Sequence, residues 1–447
     1  MATPSADDSR LSGATPWIQL ILGIICMASI ANYQYGWTFF VLPMGHEHSW
    51  SNAAMAWAFT LFVLLETWPV PFEGWVIDRI GPRAMVMIGG ALAGLGWILD
   101  SYAPSLGSLY ASSALCGLGA GMVYGTCVGN ALKWFGKRRG LAAGLTAAGF
   151  GMGSALTVLP LKGLIDSAPL AYHDAFRNFG FIQALVVLVA GAFLLRPPKL
   201  KPAEAPPSPV NLQNVRIYDW YHVLRTPSFY VMYVMFVLVV TGGLMATAQL
   251  APIAKDFYVD QFPVKILFWT ITALGWAAVI DRITNGITRP ICGWISDAIG
   301  RENTMLAIFA VEGLGILAMW KFGGNPTAFV FLTGLVFFGW GEIYSLFPAT
   351  TRDQYGQKYA TTNYGMLYTA KGTGALILPY LTALAATNGW GVVLGIAAAF
   401  NFAAAVLAFF VLKPVRRWEV KRNIELGDAA PGEPAPLLPQ PIPAVAT

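Results

Sequence analysis

Long apolar stretches separated by short polar breaks run through most of the chain. A helix needs about 20 apolar residues to cross a bilayer, and twelve stretches approach that length. Membrane-spanning strands would be shorter and would alternate apolar and polar positions. Because backbone groups in lipid must be paired within their own segment, we predict an all-α membrane protein with twelve transmembrane helices. The predicted spans are 17–42, 52–77, 84–101, 106–133, 139–162, 176–196, 228–254, 266–295, 303–321, 326–350, 362–386 and 389–412.

Composition supports a membrane protein and argues against an enzyme. Apolar residues make up 56% of the 447 residues and charged residues only 11%, which is not typical of soluble domains. The four cysteines lie within predicted spans without metal-ligand spacing, so we expect no disulfide, no metal and no other cofactor. The four histidines fall in predicted loops, and no nucleophile lies beside a base.

The distribution of Lys and Arg predicts the orientation of the chain. With both termini in the cytoplasm, twenty of the 28 basic residues fall on the inner side, five on the outer side and three within spans. Basic residues accumulate on the cytoplasmic side of membrane proteins, so we predict cytoplasmic termini in the inner (plasma) membrane. This bias and the surrounding lipid explain the net charge of +5 without a nucleic acid partner.

A loop motif that occurs twice indicates an internal repeat. Two copies at equal spacing, together with Tyr124 and Tyr344 at an offset of 220, predict two pseudo-symmetric six-helix halves. We expect each motif to act as a cytoplasmic latch, because its acid at a helix end can meet a neighbouring helix N-terminus and a basic residue. The first copy contains Gly74, Asp78, Arg79, Gly81 and Arg83, and the copy 219 residues later contains Gly293, Asp297, Gly300 and Arg301.

Local composition divides the chain into five segments. Residues 196–212 are proline-rich, which is typical of a flexible linker, and the YDWYHVLR that follows mixes aromatic and charged residues as interfacial helices do. The C-terminal tail is rich in proline and alanine, which predicts disorder. The predicted segments are a cytoplasmic tail at 1–16, six-helix halves at 17–196 and 228–413, a cytoplasmic linker at 197–227 and a cytoplasmic tail at 414–447.

Two basic residues lie deep within apolar stretches and predict an anion site. Arg289 is in VIDRITNGITRPICGW and Lys371 is in NYGMLYTAKGTGALILP. A charge at bilayer depth costs about 2.5–3.5 kcal/mol on insertion scales and marks a polar cavity in most cases. The guanidinium fork fits a carboxylate, and Asn285, four residues before Arg289, shares its face and offers a neutral donor. The alternatives are a structural ion pair, or an Arg289 side chain that extends to the interface.

Aromatic residues predict the walls of such a cavity. Trp340 and Tyr344 are four residues apart and share a helix face, whereas Tyr35 and Tyr124 come from the other half. Aromatic rings with tyrosine hydroxyls suit a small planar anion. The alternative is that these side chains pack helices or lie at the membrane interface.

The acids within the predicted spans raise the question of coupling. Two cations about 6 Å apart repel by about 2–3 kcal/mol at an effective dielectric near 20, so a cavity holding Arg289 and Lys371 closes poorly without an anion, which favours obligatory exchange. An internal acid paired with Lys371 would instead permit net or proton-coupled transport, and Glu342 and Asp281 are the candidates. The alternative is that each acid is paired or protonated for structural reasons. The candidate coupling residues are Glu66, Asp281, Arg282, Glu312 and Glu342.

The repeated loop and the two-times-six layout resemble the major facilitator superfamily. Several stretches are similar to its oxalate–formate antiporter family, and this resemblance extends over most of the chain. They are NYQYGWTFFVLP, GAGMVYGT, WFGKRRGLAAGLTAAGFGMG, NGITRPICGWISDAIGR, FFGWGEIYSLFP and NYGMLYTAKGTG. The resemblance implies the major facilitator fold, with Arg289 and Lys371 as ligands of substrate carboxylates. It implies as cavity walls Gln34, Tyr35, Tyr124, Trp340 and Tyr344.

The chain departs from that family at five positions. Phe150 stands where the antiporter has Tyr, and Tyr368 where it has Trp, which changes hydrogen bonding and shape. Glu342 replaces Gly, and Asp281 with Arg282 replaces an uncharged pair, which changes charge.

These features predict a transporter of small organic anions. The favoured substrates are carboxylates in an oxalate-for-formate type of exchange, carried by a monomer that alternates between two sides of the membrane. The alternatives are a proton-coupled symporter of lactate-like monocarboxylates and, more distantly, a receptor built on the same scaffold.

Overall fold

The structure is almost entirely helical in its first half. It is a computed structural model that describes residues 14–135, 139–197, 210–214, 216–356 and 358–425, without the side chains of 74, 75, 78, 139, 140 and 425. The helices of the first half are α1 (Thr15–His48), α2 (Asn52–Thr67), α3 (Val70–Ile80), α4 (Pro82–Asp100), α5 (Leu106–Trp134), α6 (Arg139–Gly153), a 3₁₀ turn (Ser154–Leu156), α7 (Val158–Ile165) and α8 (Ala171–Ala192).

The second half repeats this helical arrangement and adds one hairpin. Its elements are α9 (Trp220–Val223), α10 (Pro227–Asp256), β1 (Pro263–Ile266), β2 (Trp269–Thr272), α11 (Ala273–Ile299), α12 (Arg301–Phe322), α13 (Pro326–Gly341), α14 (Ile343–Tyr355), α15 (Ala360–Ala375), α16 (Leu378–Asn388), α17 (Trp390–Val406), a π-helical turn (Leu407–Leu412) and α18 (Lys413–Glu425).

The length and polarity of the helices agree with a multi-pass membrane protein. Among the described residues, ten helical segments are long and apolar enough to cross a membrane. The other two predicted spans are also helical but fall outside that group. They correspond to α11, which carries several buried charges, and to the pair α15 and α16, which is interrupted between Ala375 and Leu378. The predicted all-α fold class is confirmed. Ten of the twelve predicted spans have the length and polarity of a membrane-crossing helix.

The segment before α11 is a β-hairpin, so the predicted start of that span at residue 266 was wrong. β1 pairs antiparallel with β2, with Val264 opposite Ile271. The β-branched and aromatic residues of PVKILFWTIT favour strands. The Thr272 hydroxyl accepts a hydrogen bond from the Gly275 amide at 3.2 Å and caps α11, so the helix begins only at residue 273.

The last helix extends beyond the predicted end at residue 412. The chain remains helical to Glu425, although residues from 414 onward were predicted to be disordered. The reason is a buried polar network that the apolar pattern does not register. Arg416 pairs with Glu302 and donates to the Leu212 carbonyl, and Glu419 accepts from the Ser228 amide and hydroxyl. The proline-rich part of the tail, from residue 427, lies outside the described residues.

The end of the linker is hydrogen-bonded to the second half of the chain. The Asn214 amide donates to the Asp353 carbonyl at 2.8 Å and the Tyr218 amide to the Tyr355 carbonyl at 3.0 Å. The predicted interfacial helix is only the single turn α9, which Asp219 caps. Residues 198–209 lie outside the described part of the chain.

Helices from the two halves meet along a common interface. Helix α1 packs against α10, α2 packs against α15 and α16, and α6 packs against α11. Broken helices border this interface: α2 gives way to α3 around Pro69, and α13 gives way to α14 at Glu342. Irregular backbone at membrane depth is tolerated where it is buried in protein or lines a cavity, so these breaks make the interface the place where polar groups can be accommodated.

Candidate functional site

The two predicted anion ligands lie at this interface, and both are buried. Arg289 is in α11 and Lys371 is in α15, with exposed fractions of 2% and 0%. They share a neighbour, because the Tyr344 ring centre lies 4.6 Å from the Arg289 Cζ and 5.8 Å from the Lys371 Nζ. The two cations therefore occupy one site that is closed to solvent in this structure.

Lys371 is already paired with an acid from the other half. Its Nζ lies 2.7 Å from the Glu66 Oε2 and donates to the Gln34 Oε1 at 2.8 Å. All three side chains are buried. The prediction that Glu342 or Asp281 neutralises this lysine was wrong, because Glu66, another of the candidate coupling acids, occupies the position.

A glycine allows the close approach that makes this ion pair. A Cβ on Gly372, next to Lys371, would lie 2.5 Å from the Thr67 Oγ1 and 2.8 Å from the Trp68 Cδ1. The end of α2 thus packs directly on the backbone of α15. This contact brings Glu66, one residue before Thr67, to the lysine.

Arg289 has no such counter-ion. Its Nη1 donates to the Ala147 carbonyl, and its Nη2 donates to the Asn285 Oδ1 at 3.0 Å. Its Nε has no hydrogen-bond partner among the described residues. Within the described ranges no carboxylate lies within ion-pair distance of this guanidinium. A buried cation held only by neutral acceptors is costly unless an anion joins it.

Asn285 is at the site but acts differently from the prediction. Its Oδ1 accepts from the Tyr35 hydroxyl at 3.1 Å as well as from Arg289, and its Nδ2 donates to the Phe337 carbonyl at 3.4 Å. The amide therefore orients Arg289 and Tyr35. The predicted free donor for a ligand is already used within the protein.

Aromatic rings from both halves surround the two cations. Phe150 lies 5.7 Å from Tyr35 and 5.3 Å from Tyr124, measured between ring centres. Tyr124 stacks on Tyr368 at 5.4 Å. Phe150 and Tyr368, the two positions that depart from the family pattern, are thus part of the wall.

The remaining wall residues carry donors without partners. Trp340 lies 5.7 Å from Tyr344 in an edge-to-face arrangement. The Trp340 Nε1, the Tyr344 hydroxyl and the Arg289 Nε are buried, and none has a hydrogen-bond partner among the described residues. Buried donors are nearly always satisfied in native structures. Three unsatisfied donors therefore lie in neighbouring residues of one cluster, beside the two buried cations.

The other candidate acids lie beside the site or apart from it. Asp281 lies 3.9 Å from Arg282, whose Nη2 donates to the Tyr35 carbonyl at 2.9 Å. Glu342 lies at the break between α13 and α14, and Glu312 is in α12. Both are buried, and their carboxylate oxygens have no hydrogen-bond partner in the described part of the chain.

Two further buried acids were missed in the sequence. Glu73 in α3 has no partner for either oxygen among the described residues, and Asp100 accepts from Tyr33 at 2.9 Å and from Ser112. Both lie near the ends of predicted spans, where an acid is easily taken for a loop residue. The contacts of Ala147 with Arg289 and of Gly372 with α2 were also missed, since backbone carbonyls and glycines leave no signal in a charge pattern.

The repeated loops have matching backbones. Gly81 and Gly300, which follow the two copies of the acid, have φ angles of 86° and 95°, a region that favours glycine. In the second copy Arg301 pairs with Asp297 at 2.8 Å and with Asp353 at 3.1 Å. In the first, Arg83 donates to the Leu194 carbonyl at 3.3 Å and the Arg79 carbonyl accepts from Arg196 at 2.8 Å. The side chains of residues 74 and 78 lie outside the described part.

Comparisons with known proteins agree with this architecture. The oxalate:formate antiporter of Oxalobacter formigenes is 34% identical over 431 residues, which cover 95% of this chain and 98% of the relative. Monocarboxylate transporter 12-B of Danio rerio is 27% identical over 358 residues, covering 72% of this chain and 71% of the relative. The crystal structure of the peptide transporter POT in complex with alafosfalin has a TM-score of 0.67 at 14% identity and covers 89% of this chain and 95% of that one.

The family assignment follows from a family model and from the first of these relatives. The model described as the Major Facilitator Superfamily matches residues 22–268 and 250–445. The resemblance to the oxalate–formate antiporter family found in the sequence is thereby confirmed. These relatives are membrane transporters and not enzymes. The chain belongs to the Major Facilitator Superfamily.

Proposed function

We propose that this protein transports small carboxylates by alternating access, with the substrate held between Arg289 and Lys371. Exchange of an oxalate-like dicarboxylate for a formate-like monocarboxylate is the favoured reaction. The proposal rests most on Arg289, a buried cation that has no counter-ion among the described residues. It lies against Tyr344, one of two neighbours with unsatisfied donors in the described part of the chain. A carboxylate supplies both the missing charge and the missing acceptors.

The size and shape of the site favour a small planar acid. The Tyr35 ring centre lies 5.7 Å from that of Phe150 and 6.4 Å from that of Trp340. The Tyr344 ring centre lies 4.6 Å from the Arg289 Cζ, and the Phe150 ring centre lies 5.4 Å from the Lys371 Nζ. All of them are buried. A bulky anion would have to separate several of these contacts. The name of the oxalate:formate antiporter, 34% identical to this chain, points to the same substrate class.

The alternating-access part of the proposal rests on how the site is divided. Arg289 and Lys371 come from the second half, whereas Gln34, Tyr35 and Glu66 come from the first. A ligand between them contacts both halves, so it stabilises the closed arrangement that lies between inward- and outward-open forms. The Asp297–Arg301–Asp353 contacts belong to a cytoplasmic latch that stabilises one of the end states.

The decisive experiment is exchange in liposomes. Purified protein is reconstituted, loaded with one carboxylate and assayed for uptake of a labelled second one across a panel of monocarboxylates and dicarboxylates. We expect Arg289→Ala to lose at least about 30-fold in rate, because truncating one partner of a buried charge pair costs about 2–5 kcal/mol. The control is Arg177→Ala, which removes an exposed arginine paired with Asp174. Near-normal exchange by folded Arg289→Ala refutes the site.

A second candidate function is proton-coupled symport of monocarboxylates. It is favoured by the Glu66–Lys371 pair, which leaves Arg289 as the one cation without a counter-ion among the described site residues. The 27% identity to a monocarboxylate transporter is consistent with it. Uptake driven by an inward proton gradient into liposomes without internal substrate distinguishes it from strict exchange.

We also infer the setting in which transport occurs. The excess of basic residues on one side supports cytoplasmic termini in the plasma membrane, and the internal two-half site supports a functional monomer. Labelling of single cysteines introduced at residues 14 and 258 from either side of sealed cells tests the orientation.

A further inference from the structure

Glu66 occupies the place where a second substrate carboxylate would bind. Its Oε2 lies 2.7 Å from the Lys371 Nζ, which is the contact that a dicarboxylate held by both cations would make. Its Oε1 is buried and has no hydrogen-bond partner in the described residues. The acid and such a substrate therefore compete for one ammonium group.

Glu66 has one opposite charge in direct contact, the ammonium group of Lys371. The helix α16 also packs on α2 and carries no charged residue. The titratable and polar groups that face Glu66 are Lys371 and Tyr368 of α15, Gln34 and Tyr35 of α1, Cys116 and Tyr124 of α5, Tyr344 of α14 and Glu73 of α3. When Lys371 turns to another anion, none of these can replace it as a cation.

Counting charge in the site then separates two kinds of substrate. With Glu66 ionised, Arg289, Lys371 and Glu66 together carry one positive charge, which a monocarboxylate at Arg289 neutralises. A dicarboxylate that also takes Lys371 would leave one uncompensated negative charge in a closed, buried site. Such a charge costs several kcal/mol, and a proton bound to Glu66 removes it.

We propose that Glu66 takes up one proton from the aqueous phase when a dicarboxylate displaces it from Lys371, and releases that proton with the substrate. This proposal rests on the proposed function. A dicarboxylate dianion then crosses with one proton and a monocarboxylate anion with none. Both loaded forms carry the same charge, so the exchange of one for the other is electroneutral.

Voltage and lumenal pH test the proposal in liposomes. Oxalate uptake in exchange for internal formate is measured with and without a potassium diffusion potential, while a trapped dye reports pH. We expect one proton to enter with each oxalate and the potential to have no effect on the final oxalate ratio. Glu66→Gln should abolish the proton movement and make the ratio change about 50-fold for a potential of about 100 mV, the value for one net charge.

The control and the contrary outcomes are distinct. Asp100→Asn removes another buried acid of the first half, one that accepts from Tyr33 and Ser112 and is not among the groups that face Glu66, and should behave as the unmodified protein. Voltage-dependent exchange without proton movement in the unmodified protein overturns the proposal, even if Glu66→Gln does not fold. The same profile in folded Glu66→Gln and the unmodified protein also overturns it. Absence of any carboxylate exchange refutes the proposed function instead.

Discussion

A single methyl group at Gly372 should separate the helices that hold the Glu66–Lys371 pair. In Gly372→Ala the new Cβ would lie 2.5 Å from the Thr67 Oγ1 and 2.8 Å from the Trp68 ring. Neither neighbour is free to move alone. Thr67 donates to the Val63 carbonyl at 2.9 Å, and the Trp68 Nε1 donates to the Thr369 carbonyl at 3.2 Å.

The size of the effect follows from these distances. Ordinary carbon contacts are about 3.5–4.0 Å, so α2 and α15 must separate by roughly 1 Å. Overpacking of this kind costs about 1–3 kcal/mol. The Glu66–Lys371 contact of 2.7 Å would then exceed hydrogen-bond length. Since the clash exists only where the two halves are in contact, the closed form is destabilised by about 5- to 150-fold relative to the open ones.

Exchange kinetics and substrate binding measure this loss separately. We expect the maximal exchange rate of Gly372→Ala to fall by that factor, while thermal unfolding in detergent changes little, because the open forms are not strained. The matched control is Gly395→Ala in α17, where an added Cβ has no neighbour within 4 Å. An exchange rate within twofold of the unmodified protein would refute this reasoning, since it would mean that the contact does not form in the transport cycle.

Three further predictions concern charge in and near the site. Arg289→Lys keeps the charge but loses the planar fork and the Asn285 contact, so exchange of every carboxylate should fall by at least about tenfold. Lys371→Gln should reduce dicarboxylate exchange more than monocarboxylate exchange, and equal losses would indicate a structural role. Because Glu66, and not Asp281 or Glu342, pairs with Lys371, Asp281→Asn and Glu342→Gln should leave substrate exchange in liposomes intact, and a large loss in either folded variant would assign that acid to the transport cycle.

The fold was accessible from the sequence because its main determinant is local. A span of about 20 apolar residues must form a helix in lipid, and the paired loop motifs reveal the repeat. The pattern failed where structure depends on other forces. Strand propensity favours the hairpin at 263–272. The buried Arg416 network extends the last helix into a segment that has too many charged residues to be predicted as a span.

The candidate site was predictable in its members but not in its pairings. Arg289, Lys371 and the aromatic residues stand out by charge, spacing and resemblance, and the structure brings them together. The partner of Lys371 could not be singled out, because Glu66 is 305 positions away and is one of four candidate coupling acids. The choice among them depends on a close approach of two helices at Gly372, which is a property of packing and not of periodicity.

The feature most relevant to mechanism is that Lys371 has a counter-ion, whereas Arg289 has none among the described residues. Had both lacked counter-ions, the empty site would have two buried positive charges, and closing it without substrate would be strongly opposed. Glu66 removes one of these charges and leaves the other at Arg289. Only one desolvated cation then opposes closure of the empty carrier, and a monocarboxylate is enough to neutralise the site. Under the proposed function, a single acid from the first half can thus shift the chain from strict dicarboxylate exchange toward monocarboxylate or proton-linked transport, without any change in the two residues proposed as substrate ligands.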